Sequence, residues 1–288
     1  VSIMALIKVK DLLKHAEENG YGVPAINVFD YNSIKFAVMA AEEAHMPLII
    51  QYYPGFKEHA PLRDIRDMAV AMAQRASVPI AVHLDHSKDF DIAVEGLGAG
   101  FPSVMVDGSA LPYEENVALT QDVCRCAHAM GVDVEAELGH VGVGMQLEDM
   151  TNTDFFTDPD QAVEFVKRTS VDSLAIAVGN AHGNYIRTPE LDFDRIAKLR
   201  EVLDIPLVMH GGSDIPTDQL IRAVRCGMSK FNIATEYQRA FYTSMEAFFE
   251  DKSHPGAYYR ALRAIERPCI DFVKEKIQIL NPDHYSLA

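Results

Sequence analysis

The chain is short of basic residues, poor in cysteine and without a long apolar run. Lysine and arginine number 26 against 42 aspartates and glutamates, a formal net charge of −16. So acidic a balance argues against nucleic acid and anionic membrane surfaces as general partners. It still admits a phosphorylated small molecule, because a local nest of backbone N–H groups can bind an anion against the net charge. No apolar stretch approaches the ~18 residues of a membrane span, and Val1-Ser2-Ile3-Met4 is not expected to begin a signal peptide, having no basic segment before a long apolar one. The four cysteines, Cys124, Cys126, Cys226 and Cys269, form no Cys-x-x-Cys pair, so reduced thiols and a cytoplasmic protein are expected. No Pro/Ser-rich linker or composition shift divides the 288 residues, and one domain over 1–288 is expected. Against these absences stand 48% hydrophobic and 24% charged residues, enough apolar material to form a core.

Eight β-rich runs recur along the chain: Val23–Val28, Leu48–Tyr52, Pro79–Leu84, Ser103–Asp107, Asp133–Leu138, Ser173–Val178, Pro206–Met209 and Lys230–Ile233. Helix-length segments with apolar residues three and four apart lie between them, among them Ile34–Ala44, Ile65–Ala76, Glu114–Met130, Pro159–Lys167, Phe193–Leu203, Pro216–Cys226 and Glu236–Phe249, with Asp89–Leu97 a shorter one. Asp158-Pro159 reads as an N-cap with proline in the first turn, and Gly227 as a stop. Alternation of this kind implies a parallel sheet, and at this length a closed (β/α)8 TIM barrel is favoured over an open doubly wound sheet. Two segments are surplus: the long loop 139–157 after strand five, and an extra amphipathic helix over Tyr258–Leu280. Loops beyond about 12 residues in compact domains are often functional lids.

In a barrel the C-terminal strand ends carry the chemistry. Here they carry Asn27, His83-Leu84-Asp85-His86, Glu135-Ala136-Glu137, Asn180-Ala181-His182-Gly183, His210-Gly211-Gly212-Ser213 and Asn232-Ile233-Ala234-Thr235. One histidine near a strand end is ordinarily a hydrogen-bonded structural residue. Three at one rim, His86, His182 and His210, suit Zn²⁺, which in catalytic sites takes three protein ligands and keeps an open position. His83, inside its strand, competes as a packed or supporting histidine. His15, His45, His59, His128, His254 and His284 fall in helices or tails and read as surface residues, while His140 has no assigned role. Asp85 suits proton transfer, or else holds a histidine. Glu135 and Glu137 share a strand face, so that one could approach a metal and the other pair with a basic residue inside the barrel. Lys230 reads as a barrel charge with a carboxylate partner. The glycines after strand seven and the start of helix eight form an expected anion site, where free N–H groups and a helix dipole meet a phosphate.

The motifs Val82–His86, Val134–Gly139, Ala181–Gly183, Val208–Ser213 and Asn232–Thr235, in this order and spacing, resemble those of the class II, zinc-dependent ketose-bisphosphate aldolases, the family of fructose-bisphosphate and tagatose-bisphosphate aldolases. The resemblance runs from about Ala5 to about Leu280. It implies a lyase that reversibly cleaves a phosphorylated ketose to dihydroxyacetone phosphate and an aldehyde through a metal-stabilised enediolate. His86, His182 and His210 would bind one catalytic zinc, and a monovalent cation is allowed beside it. Asp85 would protonate the aldehyde oxygen in synthesis and take the hydroxyl proton in cleavage. Gly183, Gly211, Gly212, Ser213, Asn232, Ile233, Ala234 and Thr235 would hold dihydroxyacetone phosphate, and Asn27 and Glu137 match further polar positions, Glu137 on the metal side. A homodimer or homotetramer is implied.

Three departures bear on the substrate. Met145 stands where the family's loop after strand five carries a proton-exchanging Glu, so that Glu148 is the replacement expected. Tyr53 stands where many bisphosphate aldolases place a Ser for the distal phosphate. His254-Pro255-Gly256 lacks the Arg often found beside that proline. The reading is therefore a fructose- or tagatose-1,6-bisphosphate type of aldolase, with a ketose 1-phosphate aldolase as the alternative. A sugar-phosphate-binding subunit or sensor without catalysis is the alternative of another class, and a barrel isomerase a further enzymatic one. Lys57, Arg260 or a basic residue of a neighbouring subunit is expected at the distal end if a second phosphate is bound.

Overall fold

The computed structural model describes residues 5–251, 253 and 258–287. Val1–Met4 and the His254-Pro255-Gly256 departure lie outside them. The strands are β1 (Val23–Asn27), β2 (Leu48–Tyr52), β3 (Ile80–Ser87), β4 (Ser103–Val106), β5 (Asp133–Leu138), β6 (Ser173–Ile176), β7 (Leu207–Met209) and β8 (Met228–Ile233). They pair in parallel in chain order, and β8 returns to β1 to close the ring. Ala25 pairs with Ile49 on one side and with Asn232 on the other. Every strand residue but His86 is buried, as a parallel sheet covered on both faces requires.

The covering helices are α1 (Val9–Glu18), α2 (Tyr31–Ala44), α3 (Leu62–Ala73), α4 (Phe90–Ala99), α5 (Tyr113–Ala129), α6 (Leu147–Thr151), α7 (Pro159–Thr169), α8 (Phe193–Val202), α9 (Thr217–Arg225), α10 (Thr235–Glu250), α11 (Tyr258–Ala264) and α12 (Glu266–Ile279). Their starts are chemically marked. Asp30 and Ser33 form a capping box on α2, and Asp89, Asp158 and Asp192 accept backbone N–H groups at the starts of α4, α7 and α8.

Four features depart from the sequence reading. α1 was not expected. It has no side-chain cap, and it follows a short stretch bridged to β3, with Ile7 N–H donating to the Ile80 carbonyl at 3.1 Å. Its Leu12, Leu13 and Ala16 are buried. The surplus C-terminal helix is two helices, because Pro268 has no N–H to donate and its ring excludes the carbonyl four residues back, at Ala264, where α11 ends. The loop 139–157 contains α6 and a 3-10 turn at Thr153–Phe155. His15 is half-buried rather than a surface residue: its Nδ1 lies 2.8 Å from the Tyr21 hydroxyl, and its Nε2 faces Tyr285 at 3.4 Å.

Inside the barrel Lys230 Nζ lies 2.8 Å from Glu135 Oε2, both completely buried. The same carboxylate lies 3.8 Å from His83 Nε2, and His83 Nδ1 meets Ser103 Oγ at 2.8 Å. His83 is thus a packed barrel residue, and burial, with the Lys230 charge adding, pushes its pKa down to about 3. Removing one member of such a pair leaves an uncompensated charge in the core. Lys230→Met is therefore expected to lower the unfolding free energy by about 3–5 kcal/mol. Urea unfolding of the metal-free protein measures it, and an unchanged midpoint would show that Glu135 needs no cation.

Candidate active site

The chemistry-bearing end of β3 depends on a register irregularity. Leu84 pairs with Val104 and Ser87 with Val106, so three steps on β3 face two on β4. His86 takes a left-handed φ of 38° there. In an undistorted strand Asp85 and His86 would point to opposite faces; the bulge turns both to the cavity.

His86, His182 and His210 come together with one ring nitrogen each within 4.8 Å of the others. The remaining nitrogens are held from behind. His86 Nδ1 lies 2.9 Å from Asp107 Oδ2, His182 Nδ1 lies 3.2 Å from the Val141 carbonyl, and His210 Nε2 lies 3.0 Å from Glu135 Oε1. Each acceptor takes the N–H on its side and turns Nε2, Nε2 and Nδ1 inward, where a cation can use their lone pairs once His210 has given up its second proton. His182 Nε2, His210 Nδ1 and Glu137 Oε2 are buried without a hydrogen-bond partner. His210 Nδ1 and Glu137 Oε2 stand 2.8 Å apart yet are not aligned to bond. Three imidazoles and a carboxylate converging here fit a zinc-like cation. His86, Asp107 and Glu137 form a second, overlapping group of the same kind.

Electrostatics follow from this crowding. Burial opposes a charge on His210, but the carboxylates of Glu135 and Glu137 outweigh it and lift its pKa to about 10. Burial, reinforced by His86 and His210, pushes His182 down to about 4. Burial would raise Asp85, but His86, His210 and Lys230 hold it below its usual value. Asp85 is also clasped by amides: Asn27 Nδ2 donates at 2.8 Å and Gln51 Nε2 at 3.4 Å to Oδ2, and Asn232 Nδ2 at 3.3 Å to Oδ1. The ionised carboxylate is thus kept ready to accept a proton.

A cavity of about 690 Å³ opens over these groups. Asn27, Asp85, His86, His182, Gly183, Gly211, Ser213, Asn232, Ala234 and Thr235 all line it. Gly211 has φ 63°, and a Cβ there would collide with the Ala181 carbonyl, so only glycine fits the turn. Gly212, Ile233 and Glu148 lie outside the lining. The Gly212 N–H is spent on the Asn232 carbonyl at 2.9 Å. Ile233 alternates away from Asn232 into the core. Glu148 is exposed on α6, and Gln146 reaches the cavity instead. Glu137 stands on the inner side of the histidine cluster, its Oε2 2.8 Å from His210 Nδ1, and Glu135, behind His210, is the carboxylate that pairs with Lys230.

Sequence reasoning missed Gln51, Asp107 and Lys88. Gln51 and Asp107 act through Asp85 and His86, contacts that only the closed ring creates. Lys88 lines the cavity two residues after His86, a proximity legible in the chain. Lys57 instead pairs with Glu95 at 2.7 Å, and Arg260 is exposed on α11 away from the lining.

The family model for class II fructose-bisphosphate aldolase matches residues 7–284. The chain belongs to the class II fructose-bisphosphate aldolase family. Among solved structures it is similar to the YdjI aldolase of Escherichia coli K12, with 33% identity, a TM-score of 0.86, and 96% of this chain and 98% of that one covered. The fructose-bisphosphate aldolase of Campylobacter jejuni shares the fold at 23% identity and a TM-score of 0.82, covering 96% and 95%. This class II aldolase is accordingly a lyase, and its family implies a phosphorylated ketose as substrate and dihydroxyacetone phosphate as product. No described helix is long and apolar enough to cross a membrane.

A cation entering the histidine cluster must displace the proton that His210 carries below pH 10. Adding zinc to the metal-free aldolase at pH 7 should therefore release protons, and the release should fade as pH rises through about 10. His210→Ala should abolish both the release and tight binding. Indicator-dye titration reads the protons, and zinc bound with no proton release at pH 7 would contradict the arrangement.

Proposed function

We propose that this aldolase is zinc-dependent and reversibly cleaves a ketose bearing a C1 phosphate, of the fructose- or tagatose-1,6-bisphosphate type, to dihydroxyacetone phosphate and an aldehyde. The observation that carries the reading is the cluster of His86, His182 and His210 with inward-facing nitrogens beside an ionised Asp85, next to a glycine-built anion cradle. Zinc in that cluster supplies a Lewis acid for the ketone oxygen, where negative charge gathers as the bond breaks. Gly183, Gly211, Ser213 and the start of α10 at Thr235 hold the phosphate and so place the reacting carbons beside Asp85. Asp85 takes the proton of the hydroxyl that becomes the aldehyde, and in synthesis returns it. Asn27, Gln51 and Asn232 keep its carboxylate oriented while it does so. Glu148 is the acid assigned to proton exchange on dihydroxyacetone phosphate, which requires α6 to move toward the cavity. A homodimer or homotetramer in the cytoplasm belongs to the same proposal, the compartment being supported by four unpaired cysteines.

Asp85→Ala should retain zinc and dihydroxyacetone phosphate while losing roughly 10²–10⁴ in cleavage rate. Near-normal turnover would assign the proton to another residue. Glu148→Gln is the parallel variant: it should slow proton exchange on dihydroxyacetone phosphate, and unchanged exchange would remove Glu148 from the mechanism.

A second reading, a ketose 1-phosphate substrate, is favoured by Tyr53, whose ring lines the cavity wall. One anion cradle is built from several backbone groups, whereas the opposite rim offers a lone lysine, Lys88. For a stereochemically matched pair, kcat/KM for the 1-phosphate is expected to equal or exceed that for the 1,6-bisphosphate. A coupled assay for dihydroxyacetone phosphate measures it. A bisphosphate preference of about 100-fold, roughly 2.7 kcal/mol in transition-state stabilisation, would return the distal phosphate to the substrate and point to Lys88 as its receptor.

A further inference from the structure

The anion cradle is assembled from three loops that have little regular structure of their own: the β6–α8 loop with Gly183, the β7–α9 loop with Gly211 and Ser213, and the β8–α10 junction with Ala234 and Thr235. One side chain reaches across all three. Arg239 lies in the second turn of α10. Its Nη1 donates to Asp214 Oδ1 at 2.8 Å and its Nη2 to Asp214 Oδ2 at 2.7 Å, a bidentate pair. The same Nη2 donates to Asn184 Oδ1 at 2.8 Å. Asp214 directly follows Ser213, and Asn184 directly follows Gly183.

Both attachment points matter to backbone geometry. Asp214 sits at φ 59°, in the left-handed region that a non-glycine residue occupies at a cost. Ser213 is buried, lines the cavity, and accepts the Glu236 N–H of α10 at 3.3 Å. The fork of Arg239 therefore fixes the Ser213-Asp214 turn to α10 at a second point. On the other side Asn184 belongs to a loop that pairs with the β5 loop, since Gly144 N–H donates to the His182 carbonyl and Ile186 N–H to the Gly144 carbonyl. Holding Asn184 thus holds Gly183 next to it.

We infer that Arg239 is a positioning residue for the phosphate end of the site: by clamping Asp214 and Asn184 to α10 it sets the spacing of the three loops that receive the phosphate, without touching the ligand itself. This rests on reading the cradle as the dihydroxyacetone-phosphate site. The cost of ordering those loops is then met on folding, and the phosphate meets a preformed nest. Loss of the clamp weakens phosphate recognition and leaves the metal cluster and Asp85, which Arg239 does not contact, in place.

The test uses the zinc-loaded full chain and dihydroxyacetone phosphate as probe. Equilibrium binding is measured by calorimetry, and KM and kcat by proton exchange on the same compound. For Arg239→Met the dissociation constant and KM should rise about tenfold or more, kcat should stay within about threefold, and zinc content should be unchanged. Arg239→Lys, which keeps the charge but not the fork, should fall between wild type and Arg239→Met. Asp214→Asn should weaken binding in the same direction, and the double variant should bind no more weakly than Arg239→Met alone, because the two residues act as one clamp. If Arg239→Met does not fold, Asp214→Asn carries the test. Binding within twofold of wild type, a fall in kcat with KM unchanged, or losses that multiply in the double variant would each overturn the proposal. Wild type that binds dihydroxyacetone phosphate without exchanging its proton would sink the catalytic reading but not this one. Wild type that does not bind it would sink both.

Discussion

The arrangement depends on one buried carboxylate. Glu135 sits fully enclosed in the barrel, with Lys230 on one oxygen and His210 on the other. Burial alone would neutralise it, yet the Lys230 charge and the hydrogen bond from His210 hold it ionised, well below the usual carboxylate range. It accepts the N–H of His210 Nε2, and this turns Nδ1 toward the cluster. A barrel interior is ordinarily filled with branched apolar layers. Here a polar chain runs from Ser103 through His83, Glu135 and His210 to Glu137, and it sets which nitrogen of His210 faces the cluster.

The same logic of support from behind recurs around the rim. Asp107 orients His86 and is itself held by Ser109, whose Oγ donates at 2.6 Å and N–H at 3.2 Å to the same oxygen. The Val141 carbonyl orients His182 from the long β5 loop. That loop is anchored at its far end by Thr157, which donates to the Leu138 carbonyl and accepts the Ala177 N–H. Placement of the three histidines is therefore distributed over β3, β4, β5, β6 and β7 and their loops, and no two supporting groups are neighbours in the chain.

This distribution explains what the sequence disclosed. The eight strands were legible because each is a short apolar run bounded by helical periodicity, and the three histidines because each follows a strand end. The strand pattern left the two glutamates with interchangeable roles, and only the family resemblance put Glu137 on the metal side. Closure of the ring supplies the physical reason: it brings Lys230 beside Glu135 and leaves Glu137 facing Nδ1 of His210. α1 escaped notice because nothing polar caps its start and its role is to bury Leu12 and Leu13 beneath the barrel. The continuation of β3 to Ser87 was hidden by Asp85 and His86, polar residues that break the expected apolar run. The distal end remained hard to read because Lys88 is an exposed side chain whose relevance lies in the cavity it borders, a property of assembled loops rather than of local pattern.

The bulge in β3 has a consequence for how the site can vary. It places Asp85, the proposed acid–base group, and His86, a proposed metal ligand, on adjacent residues of one backbone segment. Any rigid displacement of that segment carries both together, so the interval between Asp85 and His86 is protected against drift of the surrounding loops. A one-residue deletion within the bulge would restore simple alternation and send one of the pair into the helix-facing layer. The two side chains are locked in phase, and selection on substrate can remodel the rim around them while leaving their mutual spacing untouched.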